Sequence, residues 1–423
     1  MFRRLFASAA VALCTLLIPA PLSAYSVLAH QSAIDALWDS AIKPVLTQKF
    51  PRATTADLRQ AREFAYGGSV IQDLGYYPFG SHFFSNLLHY VRSGDFVETI
   101  VRDARDLNEY AFALGALAHY AADNTGHPEA VNRAVAMMFP KLQAKYGNDI
   151  PYAKSPATHV LVEFSFDVVQ AAAAAYPANV YHEHIGFEVA KPLLERAFRD
   201  TYGLELHDVF LFDEDLAIGS YRHAISELIP ELTRAAWKDK KEEIEKLVPG
   251  IAEDRFLFAM SREDYEKRYG VSYKRPGLFD RFLAFLYRLL PKIGPLRPLK
   301  FETPNPAAEK LFVESLKDTR ERYRASLHEV SAGRLRLTNT DFDTGRPSVH
   351  GEYELADKTY AELLDRLAKR KFINVTPAVR RNILAFYERA DHRTSRKERR
   401  QLDGLRDGGG RNDNAVLHPD DPR

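Results

Sequence analysis

The sequence holds a single cysteine in 423 residues, Cys14, and it lies inside the apolar leader described below. The rest of the chain has no thiol. No disulfide can staple it, and any metal ion must be held by His, Asp, Glu or backbone atoms. An excess of charge of one sign is also missing: 58 Lys and Arg stand against 57 Asp and Glu, for a formal net charge of +1. A chain so balanced lacks the global electrostatic footprint of a polynucleotide binder. There is no convincing strand alternation and no internal repeat, which leaves helices as the material of the fold.

The first 24 residues read as an export signal. Arg3 and Arg4 give a positive start, Ala7 to Pro19 is apolar, and Leu22-Ser23-Ala24 offers a small-residue cleavage site. The apolar stretch is shorter than the roughly 20 residues that span a bilayer, so an uncleaved anchor is the weaker alternative. Val11-Ala12-Leu13 lacks the small residue expected before a lipidated cysteine. The mature chain is expected to begin at Tyr25 and to reach the periplasm or the medium.

From Tyr25 to about Trp237 apolar residues recur three and four apart. Ile34, Leu37 and Trp38 mark a first helix, and Ala111 to Ala122 is apolar on nearly every side, as in a helix at the centre of a bundle. Val160-Leu161-Val162 would suit a strand, but Phe166 and Val169 continue the helical period. The pattern predicts an all-α fold with a multi-helix bundle at residues 25–237 and a helical C-terminal region at 238–391. Lys238 to Lys246 is a charged helical stretch ended by Val248-Pro249-Gly250, a plausible boundary. Thr376 and Pro377 have the cap and first-turn signature of a helix start. From about His392 the chain is charged and Gly-rich, and 392–423 is expected to be a disordered tail.

Ten of the fourteen histidines precede residue 224. Five histidines of the chain have an acid four residues on, where both side chains share one helix face: His119 with Asp123, His159 with Glu163, His184 with Glu188, His223 with Glu227 and His350 with Glu354. Chance alone gives about two such pairs, so spacing is weak support by itself. Context separates the first two. His119 and Asp123 fall in the most apolar helix of the chain, where an unpaired imidazole and carboxylate would be costly and a cation would satisfy both. His127 follows Asp123 across Asn124-Thr125-Gly126. Upstream, Asp73 precedes a turn-like Leu74-Gly75-Tyr76-Tyr77-Pro78, and then come His82 and His89, seven apart, of which only one need be a ligand.

The ordered set Tyr25, His30, Asp73, His89, His119, Asp123, His127, His159 and Glu163 resembles the trinuclear-zinc fold shared by bacterial zinc-dependent phospholipase C and the single-strand-specific nucleases of fungi and plants. The resemblance covers Tyr25 to about residue 170. It implies three Zn²⁺ ions. Asp73, His89, His119 and Asp123 would hold one; His127, His159 and Glu163 a second with room for water; and the α-amino group and carbonyl of Tyr25, with His30 and Asp123, the third. Asp123 then bridges two ions, and Asp73 is the candidate catalytic carboxylate that receives the proton of the attacking water. This chain departs from the family in having Tyr25 where Trp is usual, and in placing His127 four residues after Asp123 where six is usual. The spacing of sixteen from Asp73 favours His89 over His82.

The implied activity is hydrolysis of phosphodiesters, with phospholipid headgroup esters the favoured substrate. Nucleic acid is disfavoured by the charge balance, and a non-catalytic, zinc-stabilised helical protein is the other alternative. Tyr76, Tyr77 and Phe79 offer aromatic faces that suit a choline-like cation or a stacked base. Residues 278–290, rich in Phe and Leu with Arg281 and Arg288 interspersed, read first as an ordinary helix packing its Phe and Leu inward, with peripheral membrane contact as an interfacial helix the alternative. His182 and His184 point about 200° apart on a helix and cannot share one ion. His207 and His223 remain candidates for supporting positions.

Overall fold

The computed structural model describes residues 27–172, 187–211, 213–225, 241–242, 302–388 and 394–407. Helix α1, Val27–Leu37, passes through a wider turn, Trp38–Ile42, into α2, Lys43–Lys49. Helix α3, Thr55–Val70, opens on a reciprocal cap in which Asp57 N–H donates to the Thr54 hydroxyl and Thr54 N–H to the Asp57 carboxylate. It tightens into a 3₁₀ turn, Ile71–Tyr76, before α4, His82–Tyr90, and α5, Ser93–Asp103. Helix α6, Leu107–Gly126, is capped by Asp106 and runs into a π-helical turn, His127–Val131. Short helices α7, Asn132–Met138, and α8, Pro140–Tyr146, lead to α9, Pro156–Ala172. Val160 to Val162 are thus helical. Helices α10, Lys191–Tyr202, and α11, Glu214–His223, complete this part.

The fold is all-α, and α6 lies at its centre: Ala111 to His119 are buried without interruption. Its most extensive partner is α3. The two backbones touch because glycine stands where they cross. A Cβ on Gly68 would lie 1.8 Å from the Phe112 carbonyl oxygen, and one on Gly115 2.1 Å from that of Ala65. This crossing sets the distance between the end of α3 and the polar half of α6.

The C-terminal region is built onto the same core. Helix α12, Pro306–Ser331, packs along α6, where Tyr323 donates its hydroxyl to the Leu114 carbonyl at 2.9 Å. Phe312 stacks on Phe166 of α9 with ring centroids 4.3 Å apart. Helices α13, Glu354–Lys369, and α14, Pro377–Glu388, add Leu363, Leu364 and Ile383 to the shared core. Helix α14 starts at Pro377 beneath a Thr376 cap, as its sequence indicates.

Two features differ from the sequence expectation. Within 392–423, expected to be a disordered tail, Arg396–Asp407 forms α15, which buries Leu402 and Leu405 and receives the Arg380 guanidinium on the Leu405 carbonyl. Two apolar residues three apart on an otherwise charged helix were too little signal. A two-residue antiparallel ribbon also occurs, β1 Thr340–Asp341 with β2 Arg346–Pro347, pairing Thr340 with Pro347 and Asp341 with Arg346. Strands this short have no alternation to read. The ribbon is tied down by Ser93, whose hydroxyl donates to the Thr340 carbonyl, and by Phe342 N–H donating to the His89 carbonyl at 3.1 Å.

The α3–α6 crossing yields a direct test. Gly68→Ala drives a methyl group into backbone that no rotamer change can clear, so the loss of stability should reach or exceed the ~3 kcal/mol upper end of ordinary overpacking. Thermal unfolding monitored by circular dichroism should show a large fall in midpoint, whereas Gly219→Ala, where a Cβ meets nothing within 4 Å, should leave the midpoint near that of the parent. Equal midpoints for the two variants would mean that the crossing tolerates separation.

Candidate metal centre

Five segments bring their polar residues to one place in the core. Helix α1 contributes His30, the 3₁₀ turn Asp73, α4 His89, α6 with its π turn His119, Asp123 and His127, and α9 both His159 and Glu163. None of these residues is more than 3% exposed. Local chemistry fixes each segment. Gln72 donates to the Ala116 carbonyl at 3.0 Å, and Gly75 N–H to the Ser85 hydroxyl at 2.8 Å, which pins the turn carrying Asp73 against α6 and α4. Asp167 on α9 accepts the amides of Leu28 and Ala29 at 2.9 and 3.1 Å, holding the start of α1 just before His30.

Three histidines have one ring nitrogen on a backbone carbonyl: His89 Nδ1 on Ser85 at 2.7 Å, His119 Nδ1 on Ser69 at 2.9 Å and His159 Nε2 on Ile150 at 2.5 Å. That leaves the opposite nitrogen of each to face the cluster, the arrangement by which outer partners orient metal-ligating imidazoles. Asp123 lies at the centre. Its Oδ1 is 3.4 Å from His30 Nε2, while its Oδ2 is 3.0 Å from His119 Nε2 and 3.4 Å from His89 Nε2. Asp73 is 3.3 Å from His89 and 3.8 Å from His30. His159 Nδ1 is 3.7 Å from Glu163.

These separations fit a shared cation. Donors about 2.0–2.1 Å from one tetrahedral zinc stand about 3.3 Å from one another. Three groups have donor atoms all within 4.8 Å of one another: His30 with His119 and Asp123, Asp73 with His89 and His119, and His127 with His159 and Glu163. Asp73 Oδ1, both Asp123 oxygens, both Glu163 oxygens, His127 Nδ1 and His159 Nδ1 are buried without a hydrogen-bond partner. Among the described residues no Lys or Arg pairs with these carboxylates; histidines alone approach them. A donor set of imidazole and carboxylate suits zinc.

The titration behaviour shows the same demand. Burial disfavours the His89 imidazolium, but the adjacent carboxylates of Asp123 and Asp73 override it and push its pKa up to about 10. His30, where burial prevails and His119 adds repulsion, is held down to about 4. Burial would raise the Asp123 carboxyl, yet His119, His89 and His30 pull it well below the usual range. Burial pushes Glu163 well up, reinforced by the charges of Asp123 and Asp73. Side chains alone divide the charge unevenly, and a cation shared by these groups would hold every carboxylate ionised.

The structure thus gathers His30, Asp73, His89, His119, Asp123, His127, His159 and Glu163, while Tyr25 lies outside the described residues. So do His182, His184, the side chain of His223 and the 278–290 segment. His82 is exposed and takes no part, and His207 is exposed beside Asp208. Tyr76 and Tyr77 are buried instead of forming an open aromatic platform, with the Tyr77 ring 3.9 Å from that of Tyr221. One residue of the centre has no counterpart in the sequence reading: Asp343, between β1 and β2, places Oδ1 3.2 Å from His127 Nε2. No local spacing links the two. The turn-forming Asp341-Phe342-Asp343-Thr344-Gly345 was the available signal.

Residues 29–212 match the family described as zinc dependent phospholipase C. That segment is similar to the family and spans less than half of the chain. It contains all eight gathered donors from His30 to Glu163, and the geometry offers three metal-competent groups within it. No curated protein and no solved structure matches the chain. Asp343 and helices α12 to α15 lie outside the phospholipase C-family segment.

The geometry separates two histidines that spacing left open. His89→Ala should lose bound zinc, as should Asp123→Ala, which removes the carboxylate shared between groups; His82→Ala should retain the full complement. Elemental analysis of the three purified variants decides the matter, and zinc loss confined to His82→Ala would reverse the assignment.

Proposed function

We propose that the protein is an exported phosphodiester hydrolase of the phospholipase C type, using three zinc ions to release phosphorylated headgroups from phospholipids. The observation that carries this reading is the cluster of eight buried His, Asp and Glu donors inside a phospholipase C-family segment. The third ion is assigned to His30, Asp123 and the amine and carbonyl of a mature N-terminal Tyr25. Asp167 accepts the amides of Leu28 and Ala29 and so fixes the start of α1, Leu28 standing three residues after Tyr25 in the sequence.

Zinc in such a centre supplies Lewis acidity towards phosphoryl oxygens and hydroxide at neutral pH. The protein's own groups do the rest. The buried Asp73 carboxylate would take up the proton of the attacking water. Asp123, gripped by three imidazoles, fixes the spacing of the groups on either side of it. The backbone carbonyls of Ser69, Ser85 and Ile150 hold His119, His89 and His159 in their working orientations. Apolar walls such as Phe342, 5.2 Å from the His89 ring, keep the local dielectric low, so that fixed charges act strongly on developing negative charge.

The preference for lipid over polynucleotide rests on charge. The chain is nearly neutral. Several arginines of the helices around the site are matched locally, Arg62 by Asp35, Arg92 by Asp95 and Arg102 by Asp103, which speaks against a continuous basic track along these helices. Residues 278–290, outside the described residues, are a candidate lipid contact on their sequence alone.

Zinc-loaded protein should release headgroup phosphoesters from phospholipid dispersions and cut single-stranded DNA or RNA poorly. Run side by side, efficient strand cleavage that collapses with rising salt, together with no lipid turnover, would make the enzyme a nuclease. A protein that binds zinc and turns over neither substrate would be a zinc-stabilised scaffold.

Export carries its own test. N-terminal sequencing of the secreted protein should begin at Tyr25. A start one residue away displaces the amine by about 3.8 Å and abolishes the third site as assigned.

A further inference from the structure

We propose that Asp343 is the positioning carboxylate of His127, so that a hairpin from the C-terminal region completes the metal centre from outside the phospholipase C-family segment. The inference rests on the zinc-binding reading above and extends it to a part of the chain that the family does not cover.

Asp343 is built into place from four directions. It is 1% exposed. Its Oδ1 is 3.2 Å from His127 Nε2, and its Oδ2 accepts the hydroxyls of Tyr90, at 3.0 Å, and of Tyr353. Its backbone carbonyl accepts the Asn132 side-chain amide at 2.8 Å. The turn that presents it is equally specified: the Asp341 carboxylate accepts the Thr344 amide at 2.8 Å, and Gly345 takes φ +67°. A Cβ on Gly345 would lie 3.0 Å from Pro128 Cγ and 3.1 Å from the Asn124 carbonyl oxygen, so the hairpin tip rests directly on the turn that carries His127. Thr340 adds a hydroxyl bond to the Asn124 side chain at 2.6 Å.

The chemistry follows from the two ring nitrogens. With Nε2–H donated to Asp343, the lone pair of His127 is on Nδ1, which is buried without a hydrogen-bond partner. His89, His119 and His159 each lean on a backbone carbonyl for their orientation; His127 leans on a carboxylate. A carboxylate partner fixes the tautomer and raises the basicity of the ligating nitrogen, and loss of such a partner typically weakens metal binding 10–100-fold. Helix α6 ends at Gly126 and His127 begins a π turn, so the local backbone is not a continuing α-helix that would aim this ring. The hairpin supplies the missing constraint.

The test uses the full-length protein with Asp343→Ala and Asp343→Asn. Zinc affinity is measured by competition with a chromophoric chelator, cobalt-substituted absorption spectra report the ligand field, and thermal melts report folding. Asp343→Ala should weaken one class of ion about 10–100-fold, leave the others unchanged and alter the cobalt spectrum. Asp343→Asn, equal in size and still able to accept from His127, should recover part of that affinity, and it alone decides the question if the Ala variant does not fold. A folded Asp343→Asn and Asp343→Ala pair that binds every ion with parental affinity and gives the parental cobalt spectrum would overturn the inference while leaving zinc binding intact. A parent protein without zinc would instead remove the reading on which it rests.

Discussion

Four carboxylates buried in an apolar core, with no lysine or arginine paired to them among the described residues, are the constraint on which the rest of this structure depends. Asp73, Asp123, Glu163 and Asp343 are each at most 3% exposed. An isolated carboxylate in such surroundings is strongly disfavoured, and histidines close to neutrality can compensate only in part. Divalent cations resolve the conflict, because one ion neutralises two carboxylates and accepts imidazole lone pairs at the same time. On this view metal binding is part of folding: ligands that repel one another become mutually attractive through the ions between them.

The helical scaffold answers that constraint with two devices. The first is the glycine-lined crossing of α3 and α6, which brings Ser69 close enough to orient His119 and delivers Asp73 next to His119. The second is the hairpin at 340–347, which closes over the polar end of α6, puts Phe342 against the rings of His89 and His119, and sets Asp343 on His127. One device works by letting backbones touch, the other by hydrogen bonds across distant parts of the chain. Both act on α6, whose apolar half anchors the core and whose polar end carries the ligands.

Legibility in the sequence follows the range of the interaction. His119 with Asp123 and His159 with Glu163 are four residues apart on helices, so local periodicity places each pair on one face. His30, Asp73 and His89 have no such local mark, and only their order along the chain, through its family resemblance, singled them out. Asp343 had neither: it acts through a tertiary contact with a residue in another half of the chain, beyond the family segment. The aromatic reading of Tyr76 and Tyr77 failed for a related reason. Their place beside Asp73 was visible, but the burial of Tyr77 depends on Tyr221 and α11, which sequence proximity does not reveal. Helix α15 was hidden by its charge, since the two leucines that seat it find their partners only once α13 and α14 have packed.

The absence of cysteine gives the metal centre a further role. A chain whose single cysteine is Cys14 can form no disulfide within itself to restrict its unfolded state, yet the ligand groups join segments as far apart as those that disulfides join. His30 meets Asp123, Asp73 meets His89 and His119, and His127 meets His159 and Glu163. Closing a longer loop removes more conformational entropy, though only logarithmically, so the widest clasp is worth modestly more than the others. The contact of His127 with Asp343, a polar pair and not a metal clasp, spans farther still. It ties α12 to α15 to the family segment through the site itself, so that the region added to the family fold is held by the same chemistry that it helps to shape.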